Sequence, residues 1–182
     1  MPAILAFTDT IFLSLKFFIP LLVLLKFSKV PIKGIDIKIL INATNWLLLL
    51  AGSAYLVMLT SEIFVAYYSQ NEYEQYAVSN RIFGPYWFAF AIQAFVYMLL
   101  PQMMWFKKVR TSIIATIIWS LFTYALTAFI FYAEHSGYMT GFSPTIAFFT
   151  YVKSLIIFIL LLALAYFVLS KGGDYLLSKR RA

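Results

Sequence analysis

Five stretches of this chain stay apolar for long enough to matter, near residues 4–28, 39–68, 84–106, 111–133 and 146–170. A helix needs about 20 residues to cross a hydrocarbon core of about 30 Å, so each predicts a membrane-spanning helix. The second is longer than one crossing requires, and therefore predicts a helix that tilts or projects from the bilayer. The first lacks a basic start and a small-residue exit, so it reads as a span, not as a cleaved signal. The segments between them are short, and no internal repeat or low-complexity tract divides the chain. The expected fold is all-α: five transmembrane helices, spans two to five forming an antiparallel four-helix bundle with the first at its flank. Gly172 and Gly173 are expected to end the fifth helix, leaving a short basic amphipathic tail on the membrane surface.

Polar positions recur within these stretches at helical spacing. Thr116, Ser120, Thr123, Thr127 and Glu134 make one line along the fourth span, and Gly52, Tyr55, Leu59, Glu62 and Ala66 share a face of the second. Tyr86, Phe90, Gln93 and Tyr97 align on the third. Two readings apply to the hydroxyl line: hydrogen bonding between packed helices, or the wall of a small proton or ion pathway. Four ionisable residues fall at membrane depth, namely Asp9, Lys16, Glu62 and Lys153. Such groups are costly in hydrocarbon and face a partner, a cavity or a pathway. Glu62 and Lys153 lie at similar depths from their outer helix ends, which predicts an ion pair or a relay between them. Asp9 and Lys16, seven residues apart, share one face of the first span.

Charge sets the orientation. Eleven of the fourteen Lys and Arg residues lie between spans one and two, between spans three and four, or after span five. The positive-inside rule makes that side cytoplasmic, so the N-terminus is outside and the C-terminus inside. The net charge of +7 then reflects topology and contact with anionic lipid, with no nucleic-acid partner expected. Asp9, Glu62, Arg81, Glu134, His135 and Lys153 are expected near the outer mouth of the bundle. The tyrosines and tryptophans fit belts at the two interfaces: Tyr67, Tyr68, Tyr86 and Trp87 outside, Trp46 and Trp105 inside.

Composition closes off the remaining classes. Apolar residues are 63% of the chain and charged residues 12%, more than a soluble domain of this size can bury. With no Cys and one His, the chain cannot ligate an iron–sulfur cluster or hold a c-type or bis-His haem alone, nor does it offer a zinc ligand cluster. No haem or metal is expected from this chain.

The sequences SEIFVAYYSQNEYEQY, NRIFGPYW and PQMMWFKKVRTSI, within residues 55–114, resemble the NrfD-type membrane subunits. That family includes the polysulfide reductase membrane subunit and the large membrane subunits of alternative complex III. The resemblance covers about a third of the chain. It implies a helical bundle in a bacterial inner (cytoplasmic) membrane that binds quinone or quinol near the outer face. It also implies partners among iron–sulfur, cytochrome and other membrane subunits of a respiratory complex. The residues matching outside are Glu62, Tyr68, Asn71, Glu74, Asn80, Arg81 and Tyr86; those inside are Pro101, Gln102, Trp105, Lys107, Lys108 and Arg110. Members of that family carry more spans than the five expected here, and FYAEHSGY follows span four where they carry a more charged stretch. The chain is therefore expected either to have kept the bundle without the site or to complete a unit with a second copy or a paralogue.

The resulting expectation is a subunit, non-enzymatic on its own, of a quinone-linked respiratory redox complex. Glu62 is its candidate proton acceptor. Tyr68, Arg81, Tyr86, Gln93, Glu134 and His135 are the quinone-site candidates, and Asp9, Lys16 and Lys153 the ion-pair or relay residues. The competing expectations are a structural or assembly subunit of such a complex and a small ion-pathway protein.

Overall fold

The computed structural model describes the backbone at residues 2–28, 35–85, 87–135 and 144–181, and side chains over 4–28, 35–85, 87–128 and 150–172. Every element among these residues is helical. Helix α1 runs Pro2–Ser28, α2 Ile37–Tyr68, α3 Glu72–Phe83, α4 Trp87–Trp105, α5 Ile113–His135 and α6 Pro144–Arg181, with a single turn at Lys107–Arg110 before α5. Four helical segments are long and apolar enough to cross a membrane: Ile4–Ser28, Ile37–Tyr68, Trp87–Trp105 and Thr150–Gly172. The segment Ile113–Ala128 is a shorter apolar helix. This is the architecture of a multi-pass membrane protein.

Local chemistry explains the boundaries. Asp36 caps α2 by accepting the Lys38 amide at 2.7 Å, while its own N–H donates to the Tyr166 hydroxyl at 2.8 Å and ties the start of α2 to α6. At its other end α2 stops at Ser69, and Gln70 takes a positive φ of 55° that turns the chain. Asn71 then caps α3, accepting from the Tyr73 amide at 3.1 Å. Glu72 and Glu74 in the first turn of α3 and Arg81 in its last complement the helix dipole.

Helix α4 is not regular. Residues Phe95–Leu99 form a π-helical turn, and Met103–Trp105 tighten into a 3₁₀ turn. Pro101 is the cause in sequence: it has no N–H to offer the preceding turn. The wider turn places Gly52 of α2 against Pro101. A Cβ on Gly52 would overlap the proline ring and stand 3.2 Å from the Tyr97 carbonyl oxygen, so only glycine lets α2 and α4 approach this closely.

The core comprises Ile11, Phe12, Leu15 and Ile19 of α1, Leu47, Leu48 and Leu49 of α2, Trp119 of α5, and Phe158 and Leu162 of α6. Here the packing corrects the expected arrangement. Helix α1 is not at the flank: it is packed against α2, α5 and α6, and α2 in turn contacts α4. Its apolar residues occupy more than one face, so it can bury surface against several neighbours at once. A second correction concerns α6, whose backbone stays helical through Gly172 and Gly173 to Arg181. Glycine costs only about 1 kcal/mol in a helix interior, and the flanking Leu, Lys and Arg favour continuation. A third is α3, which occupies a stretch expected to be only a connection.

Candidate functional site

At 32 residues, α2 is about 48 Å long, more than the hydrocarbon thickness. Its C-terminal end forms an antiparallel hairpin with α3. Three side-chain contacts set the register. Ser69 donates to Glu74 Oε2 at 3.0 Å, Ala66 and Val78 are buried in the seam, and Arg81 Nη1 donates to Glu62 Oε1 at 2.8 Å. Between the two helices lies a cleft of about 240 Å³ lined by Glu62, Val65, Ala66, Glu74, Ala77, Val78 and Arg81. The ion pair sits at its edge with the Glu62 side chain 40% and the Arg81 side chain 48% exposed. Both groups therefore remain accessible to a ligand.

Beneath the hairpin, seven residues inward from Glu62 on α2, Tyr55 joins an aromatic cluster. Its ring meets Phe12 of α1 at 6.3 Å and Tyr97 of α4 at 6.1 Å, and Phe12 and Tyr97 are 4.7 Å apart. Asp9 is within electrostatic reach of both tyrosines, and Glu62 and Arg81 within reach of Tyr55. Farther along α1, Lys16 Nζ donates to Thr127 Oγ1 of α5 at 2.9 Å. The Tyr124 hydroxyl donates to the Lys16 carbonyl oxygen. Pro20 explains that last bond, because the residue four positions after Lys16 has no N–H to give.

A second polar cluster sits toward the other end of α2. Asn45, fully buried, donates to the Arg110 carbonyl at 2.7 Å and accepts from Thr116 Oγ1 at 2.9 Å. Arg110 Nε donates to Asn42 Oδ1 at 2.9 Å, and the guanidinium lies 4.2 Å from the centre of the Trp46 ring, which meets Trp105 edge-on at 6.3 Å. Trp105 Nε1 and Ser53 Oγ both donate to Gln102 Oε1, at 3.1 and 3.4 Å. This cluster locks the turn before α5 onto α2 and uses most of its donors internally.

The expected site residues are thus only partly brought together. Glu62 and Arg81 meet; the anticipated partner of Glu62, Lys153, is exposed on α6 and takes no part in that pair. Tyr68 stacks on Phe64 at 6.1 Å and is 80% exposed. Gln93 is half-buried on α4 and does not line the cleft. Tyr86 and the side chains of Glu134 and His135 lie outside the described residues. Along the hydroxyl line, Thr116, Ser120 and Thr123 are buried, and Thr116 and Thr127 bond across to neighbouring helices.

Sequence reasoning missed two features. The hairpin was foreshadowed by Asn71 followed by Glu72 and Glu74, a helix-start signal inside a supposed loop. The Asn45–Thr116–Arg110 network had no comparable signal, since Asn45 resembles any lone polar residue in an apolar run. Among the described residues, no group of three His, Cys, Asp or Glu side chains is placed to hold a metal. No family model and no curated protein matches this chain.

Proposed function

We propose that this chain is a five-span subunit, N-terminus outside and C-terminus inside, of a quinone-linked respiratory complex in a bacterial inner membrane. In this reading α5 is the fourth of the five spans. The observation that carries the reading is the accessible Glu62–Arg81 pair at the mouth of the α2–α3 cleft, above the Tyr55–Tyr97–Asp9 group. The cleft joins a carboxylate and a guanidinium to apolar walls of Val65, Ala66, Ala77 and Val78, a donor set that suits a hydroxylated aromatic head with an apolar tail.

A quinol supplies two electrons and two protons when it is oxidised. Glu62 takes one proton from a hydroxyl bound in the cleft, acting as a general base, and the other proton passes to water at the exposed edge of the cleft. Arg81 donates a charge-assisted hydrogen bond to Glu62 Oε1 and so fixes the carboxylate at the edge of the cleft. The electrons leave through an iron–sulfur or cytochrome partner at the outer face, since this chain brings no redox centre.

Glu62→Gln tests the role. Quinol turnover by the intact complex should fall at least about a hundredfold, the lower end of a general base's contribution, with subunit composition unchanged. Unaltered turnover removes Glu62 from the chemistry. The second reading, a structural subunit, is favoured by the place of the same pair, which closes the α2–α3 hairpin. It predicts lost complex yield at constant specific activity.

A further inference from the structure

We infer that the surface around Lys16 is the docking site for a transmembrane helix of another polypeptide, one that carries an Asp or Glu near the middle of its span. Lys16 stands midway along α1, about 20 Å from either end at 1.5 Å per residue. Its short stem cannot carry the ammonium to either headgroup layer. The ammonium's hydrogen bond goes to the neutral Thr127 hydroxyl, at the exposed surface of the bundle. Among the described residues the one ion pair is that of Glu62 and Arg81. Asp9 shares the face of Lys16 but is two turns away, about 10 Å along the axis. A lysine at the centre of a bilayer is costly, and one neutral acceptor with the through-space attraction of Asp9 two turns away does not offset that.

The surroundings specify the occupant. Phe17, Leu21 and Leu24, which follow Lys16 on α1, are exposed, as are Leu121 and Tyr124 of α5, the helix to which Lys16 bonds through Tyr124 and Thr127. The result is an apolar stripe bearing a single positive charge. Its complement is an apolar helix bearing a single carboxylate at the same depth. Anionic lipid does not qualify, because its phosphate lies at the interface. A second copy does not qualify either: in a symmetric parallel pair Lys16 would face Lys16, with the neighbour's Asp9 two turns away. The inference does not depend on the quinone reading, since it concerns a different helix face.

A membrane-soluble carbodiimide, dicyclohexylcarbodiimide, tests it in native membranes. The reagent activates a buried carboxylate, and an amine in contact with it forms an amide. The expected product is a cross-linked peptide joining Lys16 to an Asp or Glu within an apolar segment of another chain. Lys16→Arg should abolish that product while the partner still co-purifies. Lys16→Met should lower the co-purified partner at least about tenfold, the equivalent of 1.4 kcal/mol. Amide formation to Asp9 or Glu134 of the same chain overturns the inference. So does the absence of any Lys16 cross-link in wild-type membranes, whatever the yield of the Lys16→Met variant.

Discussion

The indole N–H of Trp119 on α5 donates to the carbonyl oxygen of Val96 on α4 at 3.0 Å, with both residues buried. Within the π-helical turn the amide of Leu100 bonds back to Phe95, and the next residue, Pro101, has no N–H. The Val96 carbonyl is therefore left without a donor from its own helix. Trp119 supplies the donor, and in doing so fixes where α5 meets α4. Trp119→Phe keeps most of the apolar volume and removes the bond. It should lower unfolding stability by about 1–3 kcal/mol, the cost of orphaning a buried acceptor, read as a lower midpoint in detergent-solubilised thermal unfolding.

Two glycines should respond to alanine with opposite signs. Gly52→Ala drives a methyl into Pro101 and should destabilise by about 1–3 kcal/mol as α2 and α4 separate. Nothing lies within 4 Å of a Cβ on Gly172, and that residue is inside a continuous helix. Gly172→Ala should leave the bundle intact and stabilise the end of α6 by up to about 1 kcal/mol. Unfolding midpoints of the two variants, compared with wild type, give the sign directly.

The buried amide of Asn45 bridges α2 to both the Arg110 turn and α5, whereas Thr116 makes a single bond to another helix. Asn45→Leu should therefore cost more than Thr116→Val. The expected values are about 1–3 kcal/mol for the first and about 0.6 kcal/mol for the second, the average for hydrogen bonds between membrane helices. Equal losses would show that the bond from Asn45 to the Arg110 carbonyl adds nothing.

Pro20 and Tyr124 should be energetically coupled through the Lys16 carbonyl. In the wild-type chain Tyr124→Phe removes the donor that replaces the missing amide, at a cost of about 1 kcal/mol. With Pro20→Ala the backbone amide returns, and Tyr124→Phe should then be close to neutral. A double-mutant cycle on unfolding free energy measures the difference.

The Glu62–Arg81 pair should contribute little to folding. A cycle with Glu62→Gln and Arg81→Met should return a coupling of no more than about 1 kcal/mol, shrinking as salt is raised. A large, salt-independent coupling would mean that the pair is desolvated in the assembled protein.

The helical class was legible in the sequence because hydrocarbon permits few alternatives: an uninterrupted apolar run must satisfy its own backbone, and a helix does so. Long apolar runs at residues 4–28, 39–68 and 146–170 needed no neighbour to become helices. The candidate site was only partly legible. Glu62 and Arg81 both stood out as charges near the outer ends of apolar stretches, yet the depth arithmetic paired Glu62 with Lys153, because it ignored a short helix in between. Capping chemistry at Asn71 is local and weak beside twenty apolar residues, so it was easily read as loop.

The sequence by itself determined that the chain folds in helices and that several of them are apolar enough to cross a bilayer, since both follow from backbone satisfaction and transfer energy along a single segment. Only the tertiary structure decided that α1 is central, that Glu62 answers Arg81, that Asn45 holds the Arg110 turn, and that Lys16 faces outward with a neutral acceptor. Those are relations between segments far apart in the chain. They depend on how side chains of particular shapes pack, on where Pro20 and Pro101 leave carbonyls open, and on where Gly52 lets two helices touch.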